Sequence, residues 1–171
     1  AKVTKEVHFH NPKQWSKAQV IQHFLKAANK HLDLTGVFLS ADVFGLTTST
    51  GDDMGIGQQW GLITQEVDFI SPMVYPSHYS NGMYGIAHPD LQPYGIIRKA
   101  SIDANHKNKT VSKMNKNTAV IRPWLQDFTA TWVSPHQRYG NQQIIAQVKA
   151  AKEQGIDQFL LWNPNCNYSY K

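Results

Sequence analysis

Four short apolar runs, each preceded by a stretch that is wholly or partly helical in its periodicity, constrain this chain more than any other feature. The runs are GVFLSADVFG (36–45), DFISPMVYPSHY (68–79), AVIRPWLQDF (119–128) and DQFLLWNP (157–164). A nearly continuous apolar run of this length suits a strand covered on both faces, as parallel strands are. Over 15–31 the apolar residues Val20, Ile21, Phe24, Leu25 and Ala28 recur at helical spacing and continue to Leu32, with Asn11-Pro12 as an entry turn. The same spacing recurs over 90–107 (Leu91, Ile96, Ile97, Ala100, Ile102, Ala104) and over 141–154 (Ile144, Ile145, Val148, Ala151), where Gly155 supplies the stop. A shorter helix is expected over 57–67, with Asp52 or Asp53 near its start. The order helix, strand, four times over, predicts parallel strands joined by helical crossovers: an α/β fold of parallel β/α units. No low-complexity tract, sequence repeat or linker interrupts it, so residues 1–171 are expected to form a single domain.

At 171 residues the chain can bury one core, but it is short of the roughly 250 residues of a complete (β/α)8 barrel. With 41% hydrophobic and 17% charged residues, a disordered chain or a coiled coil is excluded. The net charge of +5 permits anionic partners. Its one basic cluster (Arg98, Lys99, Lys107, Lys109, Lys113, Lys116 and Arg122, with Asp103 the lone acid) reads as a solvated Lys/Asn-rich connection. It lacks the aromatic-basic interleaving or helix-turn-helix of a nucleic-acid binder, so no nucleic-acid partner is expected. The single Cys166 excludes an internal disulfide and leaves the compartment open. No apolar stretch approaches 18 residues and no charged-then-apolar leader opens the sequence, so neither a membrane span nor a signal peptide is expected in it. His8 and His10 stand on one side of a short strand-like segment, yet no carboxylate follows at ligand spacing, and neither a metal nor a cofactor is expected. The glycine-rich GDDMGIG (51–57) lacks the Lys-Ser/Thr ending of a phosphate loop and reads as a loop cap.

Every apolar run ends in polar or aromatic side chains: Asp42; Tyr75, Ser77 and His78; Trp124, Gln126 and Asp127; Trp162, Asn163 and Asn165. In parallel α/β folds the carboxyl ends of the strands form the ligand crevice, so these residues should converge. The mixture suits sugars, whose C–H faces pack on Trp or Tyr and whose hydroxyls need carboxylate, amide and imidazole partners. Glycoside hydrolysis takes two carboxyl groups flanking the scissile bond, and Asp42 and Asp127 are the pair to consider as catalytic. Tyr75, His78, Trp124, Gln126, Trp162 and Asn163 are the candidate substrate contacts. Each has a structural alternative: Asp42 and Asp127 as caps or loop braces, Tyr75 and His78 as satisfied core groups, Trp124 and Trp162 as packing. Asp68 and Asp157, at strand starts, read as structural.

The strings SADVFGLTTS (40–49), DDMGIGQQW (52–60), DFISPMVYPSHY (68–79), RPWLQDF (122–128) and LLWNP (160–164) together resemble a bacterial glycoside hydrolase-like domain, domain-of-unknown-function family 4015. The resemblance runs from about Trp15 onward. It implies a TIM barrel of which this chain is the C-terminal half, a (β/α)4 half-barrel acting on an O-glycosyl bond of an unidentified poly- or oligosaccharide. The DFISPMVYP strand is also similar to the sixth strand of family 18 chitinases, whose Met-x-Tyr segment lines the sugar site. By that likeness Tyr75 is the substrate-facing tyrosine and Trp162 the tryptophan beneath the sugar. Full-length members carry an earlier half ending in a strand that reads approximately FDYVRFP, whose aspartate is a candidate nucleophile, and that string does not occur here. The expected partners are therefore a carbohydrate and either the N-terminal half-barrel or a second copy of the chain, since edge strands at Gly36 and Asp157 would otherwise stay unpaired. The alternative function is a noncatalytic carbohydrate-binding or cell-wall-associated module.

Overall fold

The structure, a computed structural model, describes residues 13–170; Asn11-Pro12 and the His8/His10 pair lie outside them. Ser16 opens α1 (Lys17–Leu32) with a capping box, its hydroxyl accepting from the Gln19 amide while the Gln19 side chain accepts from the Ser16 amide. Then follow β1 (Ser40–Phe44), α2 (Trp60–Ile63), β2 (Phe69–Met73), α3 (Pro93–Ser112), β3 (Val120–Ile121), β4 (Trp124–Gln126), α4 (Asn141–Lys152) and β5 (Leu160–Trp162). All pairings are parallel, in the order β1-β2-β4-β5 with β3 also on β2. This is the α/β architecture of a partial TIM barrel.

Three expectations about the extent of the elements and the place of the basic cluster need correction. The run 119–128 is two short strands, because Pro123 has no amide hydrogen for the ladder and the chain steps at Arg122-Pro123; Pro123 instead accepts from the Leu160 amide. The helix expected over 57–67 is one turn, since Asp52 and Asp53 each fold back on an amide two residues on (Met54 and Gly55) and hold the preceding segment as a loop. The basic cluster lies mostly on α3 rather than on a connection, and Lys107 turns inward to donate to the carbonyls of Thr47 and Thr50. Burial lowers the Lys107 pKa from its ordinary value.

The helices cover one face of the sheet. Val43, Ile70, Ile121 and Leu125 point into that layer and are buried against Ile97, Ala100, Ala104, Ile144, Val148 and Ala151. Small residues on α3 and α4 let these two helices approach closely. Each fully buried aliphatic side chain contributes about 1.5–3 kcal/mol, so this layer holds the fold together. Gly155, at φ +75°, ends α4 as the sequence predicts.

The opposite face is open at β1, β3 and β5, while Ser71 and Gln126 on the same face are buried. Strand alternation places Asp42 and Phe44 of β1, Val120 of β3 and Trp162 of β5 on it, and Phe44 is 52% exposed, Val120 50% and Trp162 45%. Phe38, just before β1, is 76% exposed and stands edge-on to Phe69. The expectation that 36–45 is covered on both faces is thus wrong for β1. It is an edge strand with one covered face, because in a closed barrel the other face is packed by strands that the described residues do not supply.

Candidate functional site

Asp42 is the third residue of β1, on the open face. It is exposed, contrary to the expectation of a buried strand end, and its Oδ1 accepts from the half-buried Trp124 Nε1 at 2.9 Å. The bond crosses β2, so it fixes the carboxylate over the centre of the sheet. Trp124 stands edge-on to Trp162 at 6.0 Å between ring centroids, and the two indoles form a corner beside Asp42.

Tyr75 is buried just beyond β2. Burial first, and the Asp42 carboxylate second, push its phenol above the usual tyrosine pKa, so it stays a neutral donor. Its ring meets His78 at 5.3 Å and Phe128 at 5.6 Å, both edge-on. His78 is exposed on one side, and burial of the rest of the ring lowers its pKa. Phe128 and Trp132 lie nearly parallel, 18° apart at 6.0 Å.

Beneath these rings runs a buried polar network. Gln126, 0% exposed, accepts at Oε1 from the Ser77 amide (3.0 Å) and hydroxyl (2.8 Å), and donates from Nε2 to the Phe128 carbonyl (3.0 Å) and Asp90 Oδ1 (3.3 Å). Its backbone exchanges two bonds with the buried Gln147 side chain. Asp90 also accepts from the Gln137 amide at Oδ2, and its carbonyl accepts from the Tyr139 hydroxyl. Gln126 therefore has no polar group left for a substrate, contrary to its expected role, and instead holds Ser77 and Asp90 in place.

Asp127 is 2% exposed. Its Oδ2 accepts from the Ser169 amide at 2.8 Å, its carbonyl accepts from Asn163 Nδ2, and its Oδ1 has no hydrogen-bond partner among the described residues. Asn163 is likewise engaged within the protein, with its Oδ1 accepting from the Asn165 amide at 2.9 Å; the turn closes with the Cys166 amide donating to the Asn163 carbonyl, and leaves Cys166 exposed. Asp68 is structural, as read: its Oδ2 accepts from the Leu39 amide.

The structure therefore brings Asp42, Tyr75, His78, Trp124 and Trp162 to the carboxyl end of the sheet. It turns Gln126 and Asn163 inward and places Asp127 beneath the C-terminal segment. Asp90, Gln147, Phe128 and Trp132 were missed, and Ser77 was expected at the strand ends but not as a brace; only Trp132 carried a signal, as a tryptophan in a loop following a strand end.

The profile of a family described as "Putative glycosyl hydrolase domain", the family the sequence strings resemble, matches residues 1–168. The chain belongs to this family. No curated protein matches it in sequence. In fold, this family member is similar to the PgaB (BpsB) glycoside hydrolase domain of Bordetella bronchiseptica, at TM-score 0.52 and 14% identity over 90% of this chain and 40% of that one. It is similar to the spore cortex-lytic enzyme SleL of Bacillus megaterium, at TM-score 0.57 and 11% identity over 91% and 46%. Bee venom hyaluronidase gives 0.51 and 12% over 86% and 46%. The chain thus spans less than half the length of each of these structures. Among the described residues no helix is long and apolar enough to cross a membrane.

Proposed function

We propose that this domain contributes the C-terminal half of a (β/α)8 glycoside hydrolase acting on an O-glycosyl bond of a poly- or oligosaccharide. The observation that carries the reading is Asp42: an exposed carboxylate held by the indole N–H of Trp124, which in turn stands edge-on to Trp162, at the strand ends where barrel enzymes place their chemistry. The two indoles are the stacking surfaces for sugar C–H faces, and the neutral Tyr75 hydroxyl is a donor beside the carboxylate. Asp42 is the carboxylate that meets the substrate directly. Asp127 is the second, and takes part where Ser169 moves off its Oδ2. Hydrolysis then needs one carboxyl to protonate the leaving glycosidic oxygen and one carboxylate to attack the anomeric carbon or activate water.

The open sheet face is covered, in this reading, by a complementary four-unit half-barrel. Exposed Phe38, Phe44 and Val120 favour an apolar cover. Arg122 adds a polar one: its guanidinium lies 4.0 Å over the Phe69 ring while its buried Nε has no acceptor among the described residues, so a covering element that supplies a carboxylate or carbonyl there is favoured. Light scattering distinguishes the cases. A dimer means a second copy covers the face, and a stable monomer refutes the second copy and leaves the N-terminal half-barrel as the cover.

A second reading, a noncatalytic carbohydrate-binding module, is favoured by Asp127 being covered, which leaves one exposed carboxylate in the site. A panel of chromogenic α- and β-glycosides separates the two. Turnover that disappears in Asp42→Asn supports the hydrolase; oligosaccharide binding without turnover, equal in both proteins, supports the module.

A further inference from the structure

The hydrogen bonds behind His78 determine where its proton sits. Gln126 Nε2 faces the Phe128 carbonyl and a carboxylate oxygen of Asp90, which only accept, so both amide protons are committed there. Gln126 Oε1 then faces Ser77, and because an amide oxygen only accepts, the single Ser77 hydroxyl proton goes to it. Ser77 Oγ also lies 3.0 Å from His78 Nδ1. With its proton already given away it can only accept, so Nδ1 must carry the hydrogen. In the neutral ring, the form that burial favours, Nε2 is then bare.

The neighbours of the imidazole ring are aromatic. Phe128 and Trp132 both stand edge-on to the His78 ring, at 6.2 and 6.5 Å, and Trp132 is 69% exposed. We infer that His78 presents an unprotonated Nε2 as the fixed acceptor of a hydroxyl-recognising subsite walled by Phe128 and Trp132. Its ligand class is a sugar hydroxyl donated to Nε2 while the ring's C–H face rests on Trp132. Ser77, Gln126 and Asp90 are positioning residues that fix the tautomer without touching the ligand. The ligand class rests on the glycosidase reading; the proton placement does not.

The test is a two-bond 1H–15N correlation spectrum of the 15N-labelled chain at neutral pH, with His78 assigned by its absence in His78→Gln. The expected spectrum shows the Nδ1–H tautomer, and Ser77→Ala, which removes the acceptor, redistributes it toward Nε2–H. A wild-type ring protonated at Nε2 overturns the inference. Titration with glucose to high concentration should then shift the His78 Nε2 and Trp132 indole resonances together, with the Nε2 shift lost in Trp132→Ala. An Nε2 resonance that glucose does not move overturns the hydroxyl subsite. Both outcomes are read without turnover, so an inactive chain with a glucose-responsive Nδ1–H His78 sinks only the hydrolase reading.

Discussion

Replacing Gln126 by Met keeps the volume of the side chain while removing every polar atom from the centre of the network. Two buried groups, the Ser77 amide and Asp90 Oδ1, and the partly buried Phe128 carbonyl then lose the Gln126 partner. Each buried polar group left unsatisfied costs about 1–3 kcal/mol. The Ser77 hydroxyl can turn to His78, and methionine gains a little from apolar burial, so the net loss should be about 3–5 kcal/mol. Against a total stability of about 5–15 kcal/mol this is a large share. For a domain of this size it lowers Tm by about 6–20 °C. Urea titration followed by circular dichroism measures it, provided the slope is unchanged so that the midpoint reports stability. A loss below about 1 kcal/mol would refute the reasoning, because it would mean that water already reaches these groups and that the network is not the dry brace described here. Gln126→Glu is a useful companion: it keeps the acceptor for Ser77 but sets a carboxylate against the Asp90 carboxylate and the Phe128 carbonyl, and should be as damaging.

Asp42→Asn should leave Tm within about 1 °C, since the site is exposed and an amide oxygen still accepts from Trp124, while abolishing any glycoside turnover; a fall of many degrees would make Asp42 a structural residue. Gly45→Ala puts a Cβ 2.4 Å from the Met73 carbonyl oxygen and 3.1 Å from the Tyr79 hydroxyl, so β1 must shift off β2. Chemical denaturation should read a loss of about 2 kcal/mol or more, and a neutral result would contradict the close approach of the two strand ends. Because His78 has a lowered pKa in the folded chain, the unfolded state binds its proton first as pH falls. Its contribution is whole above about pH 6.5 and is lost as pH falls through that value toward the lowered one. Thermal unfolding of wild type and His78→Gln should therefore converge between pH 7.5 and 5.5, and parallel curves would refute the shift.

The helical and strand periods made the β/α order legible, because covered apolar faces leave a regular trace in sequence. Helices α1, α3 and α4 follow it closely, although α3 starts after the buried Asp90 rather than at it. Exposure was not legible in the same way. A strand such as β1 carries the composition of a barrel interior, and nothing local says whether a cover is present in the same chain. The role of Gln126 was hidden for another reason: its partners Ser77 and Asp90 lie 49 and 36 residues away, and an amide at a strand end reads the same whether it faces a ligand or its own fold. Trp132 sits in an irregular loop, where no period flags it.

The turn that follows β5 offers an optical handle. Cys166 is the chain's sole thiol and is exposed, and its amide is tied to the residue next to Trp162. A maleimide fluorophore would attach at one known position, on the turn that directly follows Trp162, with no engineered cysteine required. Tryptophan quenching of that dye would then follow, in real time, any oligosaccharide that settles between Trp124 and Trp162 and any lifting of Ser169 from Asp127.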